Sequence, residues 1–297
     1  MSKMKKSIFK GAATALITPF KDGGVDYDTL GNLIDRQISL GINALVLCGT
    51  TGESCTLSDE EHRAVLEYSL AKSGGKVPMI AGTGSNDTAH AVEMSKFAST
   101  LGYDGLLVVT PYYNKATEKG LIKSYTAIAD AADCPIILYN VPTRTSCNIS
   151  LPVYRELAKH ENVVAVKEAS GNISQIAELI SECGDYFDIY SGNDDQTLPM
   201  LSLGGSGVIS VVSNVIPREM AELCQKWFDG DTIGCRRLHE KYLKLMEIMF
   251  CEVNPIPVKT ACAIMRLCSD ELRLPLCEMG EENQKKLAKL IKEYELI

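Results

Sequence analysis

Short apolar runs and longer stretches of helical periodicity take turns along most of the chain. The runs at residues 12–18, 44–48, 79–81, 105–110, 136–139, 163–167, 188–191 and 208–212 are rich in β-branched residues. They are too short for helices and read as strands of a buried parallel sheet. Between them, residues 27–40, a segment opened by Ser58, and residues 88–101, 118–132, 152–160, 173–183, 196–203 and 218–228 carry a helical pattern. Asp26 stands where an N-cap belongs, and Ser58 followed by Glu61 has capping-box spacing. Eight β-then-α units with no hairpin signal between them predict an α/β fold, a (β/α)8 TIM barrel, ahead of an open doubly wound sheet. After Gly230 the pattern is purely helical, at residues 233–250, 258–267 and 281–294. The expected organisation is a barrel over residues 1–229 and a small C-terminal helical extension over residues 230–297.

Composition narrows the class. At 297 residues the chain is long enough for one barrel of ~250 residues with an appendage. A net charge of −8 argues against nucleic acid and anionic membrane as partners. Eleven cysteines form no CxxC pair and are odd in number, which fits thiols in a reducing cytoplasm and not a disulfide framework. Four histidines, none spaced as a ligand pair, give no zinc site, so no metal is expected. The first twenty residues faintly mimic a secretory leader, but Lys10 interrupts the apolar stretch. No run of ~18 apolar residues offers a membrane span.

Residues 162–172 stand apart. The apolar run from Val163 to Val166 ends in Lys167 and breaks at Ser170-Gly171, which sets Lys167 at the C-terminal end of a strand. A free ammonium is costly to bury there. A dry cavity favours the neutral amine, a nucleophile that condenses with ketones as a Schiff base. The plainer reading is a lysine that snorkels off the strand end into water.

In a barrel the chemistry sits at the C-terminal strand ends. Gly49-Thr50-Thr51-Gly52-Glu53 follows the second strand and Pro111-Tyr112-Tyr113-Asn114 the fourth. The fifth strand ends in Tyr139 with Arg144 close behind, and Gly192-Asn193-Asp194-Asp195 follows the seventh. Hydroxyls, one arginine and one lysine therefore converge on one mouth, which favours Lys167 as a functional amine. The glycines of the second loop also suit a plain strand-to-helix turn, with Glu53 as its anchor, but two adjacent threonine hydroxyls and loop amides suit a small carboxylate. Asp194 and Asp195 read as helix-opening caps ahead of a cation site. Glu168 should point to the strand face opposite Lys167 and is a poor partner for the amine. Gly204-Gly205-Ser206-Gly207 precedes the eighth strand, on the wrong face for a phosphate cradle. Lys259 is the rival lysine, at a helix start in the extension and away from the convergent hydroxyls.

Five motifs, CGTTGE at 48–53, TPYYNK at 110–115, YNVPTRT at 139–145, VAVKEASGN at 164–172 and SGNDD at 191–195, resemble the dihydrodipicolinate synthase family. GVISV at 207–211 and NPIPVK at 254–259 extend the resemblance over nearly the whole chain. It implies a pyruvate-dependent class I aldolase that needs no cofactor and takes pyruvate and L-aspartate 4-semialdehyde at the start of lysine and diaminopimelate synthesis. It assigns Lys167 as the Schiff-base lysine and Tyr139 as general acid/base. Thr50 would link Tyr139 to Tyr113, which in this family reaches in from a neighbouring subunit of a homo-oligomer, a dimer of dimers. Thr51 would hold the pyruvate carboxylate, with the Ile209 backbone and Gly192 beside the substrate, and Arg144 would receive the carboxylate of the semialdehyde. A phenol is a weak acid/base unless a relay supplies its proton, and Arg144 offers a planar, always-charged fork.

Sister pyruvate aldolases, such as N-acetylneuraminate lyase or keto-deoxy-sugar-acid aldolases, share the lysine and tyrosine but differ around Thr50 and Arg144. A pyridoxal-phosphate enzyme would need a phosphate cradle and a ring-nitrogen partner, and neither is properly placed. A non-catalytic barrel would bind without turnover. The resemblance also bears on regulation. Lysine-inhibited members carry two histidines after GTTGE and a glutamate on the following helix. Here His62 is kept, Asp59 stands at the first histidine position and His90 at the glutamate position, while Asn86 and Tyr112 match. Feedback inhibition by L-lysine is therefore expected to be weak or absent.

Overall fold

The computed structural model describes residues 5–297; the residues before these, which open the faint leader-like stretch, lie outside it. In chain order the strands and helices are β1 (Gly11–Ala15), β2 (Phe20–Lys21), β3 (Gly24–Val25), α1 (Tyr27–Ser39), β4 (Ala44–Leu47), α2 (Asp59–Ser73), β5 (Met79–Gly82), α3 (Thr88–Leu101) and β6 (Gly105–Val109). Then follow α4 (Glu118–Ala131), β7 (Ile136–Asn140), α5 (Pro142–Thr145), α6 (Leu151–Leu157), β8 (Val163–Glu168), α7 (Ile173–Cys183), β9 (Asp188–Ser191) and α8 (Thr197–Leu203). The chain closes with β10 (Gly207–Ser210), α9 (Pro217–Phe228), α10 (Thr232–Ile248), α11 (Ile256–Ile264) and α12 (Glu281–Glu293).

Eight strands close into a parallel barrel in the order β1-β10-β9-β8-β7-β6-β5-β4, the (β/α)8 architecture expected from the alternating pattern. The caps form as the sequence implied. Asp26 accepts from the Thr29 N–H at 3.0 Å, and Ser58 and Glu61 bond reciprocally as a capping box.

One expectation fails early in the chain. A small hairpin, β2 paired antiparallel with β3, interrupts the supposed first β-to-α connection. Its loop is Asp22-Gly23 with φ of 51° and 82°, the positive pair that a type I′ turn needs and that Asp-Gly supplies. The Asp-Gly signal is present in the sequence, so the expectation of no hairpin signal between the units is corrected here. The first strand stops at Ala15, three residues short of the expected end. The last barrel strand runs Gly207–Ser210 and gives way to a 3₁₀ turn at Val212–Asn214.

By contact the chain divides into two compact units, residues 5–11 with Pro78–Ile209, and Ala12–Val77 with Ser210–Ile297. In the first, β8 is buried along its whole length and pairs with β7 and β9. Gly207 opens β10 at φ 147°, and a Cβ there would meet the Gly11 carbonyl oxygen at 1.8 Å, so only glycine fits. In the second, the buried amide of Asn214 accepts from the Ile17 N–H and donates to the Ala15 carbonyl, satisfying the backbone where β1 ends. All eleven cysteines are free thiols, most of them buried. Among the described residues no helix is long and apolar enough to cross a membrane.

Candidate active site

Lys167 and Tyr139 meet through the sheet itself. Both belong to strand ends whose apolar residues are buried on both faces, so the backbone holds them rigidly. They are register partners on β8 and β7. The Lys167 Nζ lies 4.4 Å from the centroid of the Tyr139 ring, and the two residues are only 5% and 6% exposed. Within the described residues no ion pair is formed by Lys167. An amine so placed can attack a carbonyl compound held beside the phenol, and the phenol lies within reach of any group then bonded to Nζ.

Space for the lysine stem comes from Gly192. A Cβ at that position would lie 2.6 Å from the Ala169 Cβ and 3.1 Å from the Lys167 Cε. The glycine therefore keeps the strand end open for the amine. Ile209 is fully buried on β10, where its neighbour Val208 pairs with Ser191 of β9.

Two further residues of this unit face outward. Arg144 rides on α5, a one-turn helix that Pro142 opens and that ends at Ser146 in the left-handed region. It is exposed, a position suited to an incoming anion. Tyr113 is 91% exposed at φ 69°. A non-glycine residue held in that region with its ring in solvent is costly within a single chain.

The GTTGE loop belongs to the other unit. It turns through Gly52 N–H to Gly49 O and Glu53 N–H to Thr50 O bonds. Thr50 is half-buried in that turn, and Thr51 is buried, its Oγ1 accepting from Asn254 Nδ2 at 3.0 Å. A Cβ on Gly52 would stand 3.1 Å from the Leu16 carbonyl oxygen, so the turn needs a residue of that size. Glu53, at φ 53°, accepts from the Lys259 Nζ at 2.6 Å and from the Arg273 N–H at 3.3 Å. Lys259 is fully buried, more so than Lys167, and sits 4.0 Å from the centroid of the Phe20 ring. Burial pulls its ammonium below the ordinary lysine range, and Glu53 opposes that pull.

Burial alone would thus have chosen Lys259 as the special amine. What separates the two is the partner: Lys259 has a carboxylate at ion-pair distance and Lys167 has an aromatic ring. Sequence reasoning dismissed Lys259 for its place in the extension and missed its tie to Glu53. It also missed Asn254 as the partner of Thr51, although both lie in quoted motifs. Glu168 does point away from the amine, as expected. It enters instead a buried cluster in which its carboxylate accepts from Asn140 Nδ2 at 3.0 and 3.2 Å, Tyr154 OH at 3.0 Å and the Ser170 N–H at 2.7 Å.

The model of the dihydrodipicolinate synthetase family matches residues 8–294. The chain is 51% identical over 290 residues to the 4-hydroxy-tetrahydrodipicolinate synthase of Geobacter metallireducens, covering 98% of this chain and 100% of that protein. It is 50% identical over 294 residues to the enzyme of the same description from Acetivibrio thermocellus, covering 99% and 100%. Among solved structures, the dihydrodipicolinate synthase of Aquifex aeolicus superposes with a TM-score of 0.95 at 46% identity, covering 97% of this chain and 99% of that one.

Proposed function

Because the chain belongs to the dihydrodipicolinate synthetase family, we infer that its barrel works as a class I aldolase-type lyase. It condenses pyruvate with L-aspartate 4-semialdehyde to 4-hydroxy-tetrahydrodipicolinate, the entry into lysine and diaminopimelate synthesis. The observation that carries this reading is the buried Lys167 amine over the Tyr139 ring at the end of two paired strands.

The residues take the following roles in this reading. Lys167 attacks the pyruvate ketone and loss of water leaves an iminium, which acts as an electron sink. Removal of a methyl proton gives the enamine, whose carbon attacks the aldehyde of the second substrate. The amino group of that substrate then displaces Lys167 and closes the six-membered ring. Tyr139 moves the protons. In this reading its supply runs through Thr50 to the Tyr113 of a neighbouring subunit. Thr51 holds the pyruvate carboxylate, with Gly192 and the Ile209 backbone beside the bound substrate, and Arg144 receives the semialdehyde carboxylate as a planar charged fork. The amine of the chain does the work of a cofactor, so none is invoked.

The same reading makes the protein a homo-oligomer, a dimer of dimers, in which Tyr113 completes the site of a neighbouring subunit. Its exposed ring and positive φ support that placement. A cytoplasmic location is proposed with it, supported by the free thiols. Residues 230–297 act as an extension that braces the barrel of residues 1–229, on the strength of the Lys259–Glu53 and Asn254–Thr51 bonds.

Reduction with borohydride in the presence of pyruvate tests the central claim. One pyruvate-derived mass on the peptide that contains Lys167 is the expected result. Labelling at Lys259, or no label while a coupled assay shows turnover, overturns the assignment.

A further inference from the structure

The strands that carry Lys167 and Tyr139 have an unusual register problem. Every residue of β7 and of β8 is buried, so neither strand shows the in–out alternation that ordinarily fixes register. A slip by one residue would exchange one apolar side chain for another at little cost. The pairing also shifts once. Ile136 pairs with Val163, but Ile137 pairs with Ala165, so Val164 is an extra residue in β8. Without that shift Tyr139 would face Val166, and Lys167 would pair with Asn140.

Beyond the shift the ladder runs through Tyr139–Lys167 and ends at Asn140–Glu168. That last pair is polar and completely buried. Asn140 Nδ2 donates to both oxygens of Glu168, at 3.0 and 3.2 Å, and to Asn148 Oδ1 at 2.8 Å. Its own Oδ1 accepts from the Ile149 N–H at 3.0 Å. The Tyr154 hydroxyl and the Ser170 N–H complete the set around the carboxylate. Burial, and after it the charge of Glu168, holds the Tyr154 phenol well above its ordinary pKa, so it remains a donor. A one-residue slip of β8 would strand Glu168 opposite an apolar residue with its donors unmet, a cost that an all-apolar pair never imposes.

We propose that Glu168 and Asn140 are a positioning pair that pins the register of β7 and β8 and so sets the Lys167 amine over the Tyr139 ring. The proposal rests on the imine chemistry assigned above to Lys167. Neither residue touches substrate in this arrangement. They act through the backbone, one residue beyond the reacting pair and on the opposite strand faces.

The test is a polarity swap. In Glu168→Gln one of the two acceptor oxygens that Asn140 Nδ2 bridges becomes an NH2 group, so a donor faces a donor across the strands. In Asn140→Asp two carboxylates face each other. The double variant Asn140→Asp/Glu168→Gln restores one donor to one acceptor across the strands. Each is assayed well below its melting temperature, with folded fraction set by circular dichroism, for kcat and KM and for the rate of borohydride-trapped imine. The single variants should lose about 10²-fold in kcat, the scale of a ~1 Å misplacement of reacting groups, with the pyruvate KM little changed. The double variant should recover at least about tenfold over the poorer single variant, as coupled neighbours do. Tyr154→Phe removes a donor from the same carboxylate but spares the interstrand bond; it should lower the melting temperature and keep kcat. Single variants with wild-type kcat overturn the proposal. So does a double variant that folds and works no better than the singles, or a Tyr154→Phe loss equal to that of Glu168→Gln. Wild-type protein that traps no pyruvate at Lys167 would remove the imine reading itself, and this inference with it; trapping in wild type separates the two failures.

Discussion

Lys259 and Lys167 are both buried, and their surroundings predict opposite phenotypes. Lys259 closes an ion pair with Glu53, and removing one member of a buried pair leaves the other uncompensated, at a cost of about 3–5 kcal/mol. Lys259→Met should therefore lower Tm by roughly 10 °C in a chain of this length. Below that temperature the variant should still trap pyruvate at Lys167, whereas Lys167→Ala should keep its Tm and lose the trap. Equal melting temperatures for Lys259→Met and wild type would contradict the structural role. Arg144 has a different setting. It is exposed on a single helical turn, so a bond from it to a substrate carboxylate is charge-assisted but partly wet. Arg144→Ala should trap pyruvate normally and lose about 1.5–3 kcal/mol in kcat/KM for the semialdehyde. Unchanged kinetics with that aldehyde would refute its role.

At the level of elements, α2 is held at its first turn by one carboxylate with two duties. Glu61 accepts from the Ser58 N–H at 3.0 Å and from both terminal nitrogens of Arg273, at 2.7 and 2.5 Å. The Arg273 bonds, above all, hold its carboxyl below the ordinary glutamate range. A carboxyl whose pKa is lower folded than unfolded adds stability above the unfolded value of about 4.3, and loses it as pH falls through the folded value. Glu61→Gln should thus melt below wild type at pH 7, and the gap should narrow as pH is lowered through about 4. A gap that stays constant down to pH 3 would show that the charge contributes nothing. The hairpin β2–β3 illustrates the same scale from the other side: its turn residues were legible, but two-residue strands carry too little pattern to register as elements.

The whole molecule raises the question of assembly. Tyr113 presents nearly all of its ring to solvent from a left-handed backbone position, an expense that a partner subunit would offset. Mixing inactive Tyr113→Phe and Lys167→Ala subunits should restore some activity, because a mixed dimer holds one intact site. Proven subunit exchange with no recovery would count against a shared site. Regulation belongs to this scale too. Asp59 is exposed at the start of α2, while His90 lies half-buried on α3. A histidine supplies hydrogen bonds but not the negative charge of the glutamate that it replaces, and once protonated it repels an ammonium. Losing one charge-assisted bond of ~1.5–3 kcal/mol weakens binding roughly 10- to 150-fold. L-Lysine at millimolar concentration should therefore inhibit little in the coupled assay, and half-inhibition well below that range would show the expectation wrong.

The barrel and its strand ends were legible in the sequence alone, because short apolar runs are local signals and recur eight times in order. Lys167 at a strand end and Glu168 on the opposite face followed from period-two geometry. Three things were settled only by tertiary structure. The extra residue at Val164 decides that Lys167 meets Tyr139 and not Asn140, and no pattern marks it in strands that are apolar throughout. The partner that distinguishes Lys259 from Lys167 lies 206 positions away in the chain, beyond any local signal. The donors gathered on Glu168 come from a strand, a helix and a loop, and a buried carboxylate is stable only where folding brings such donors together.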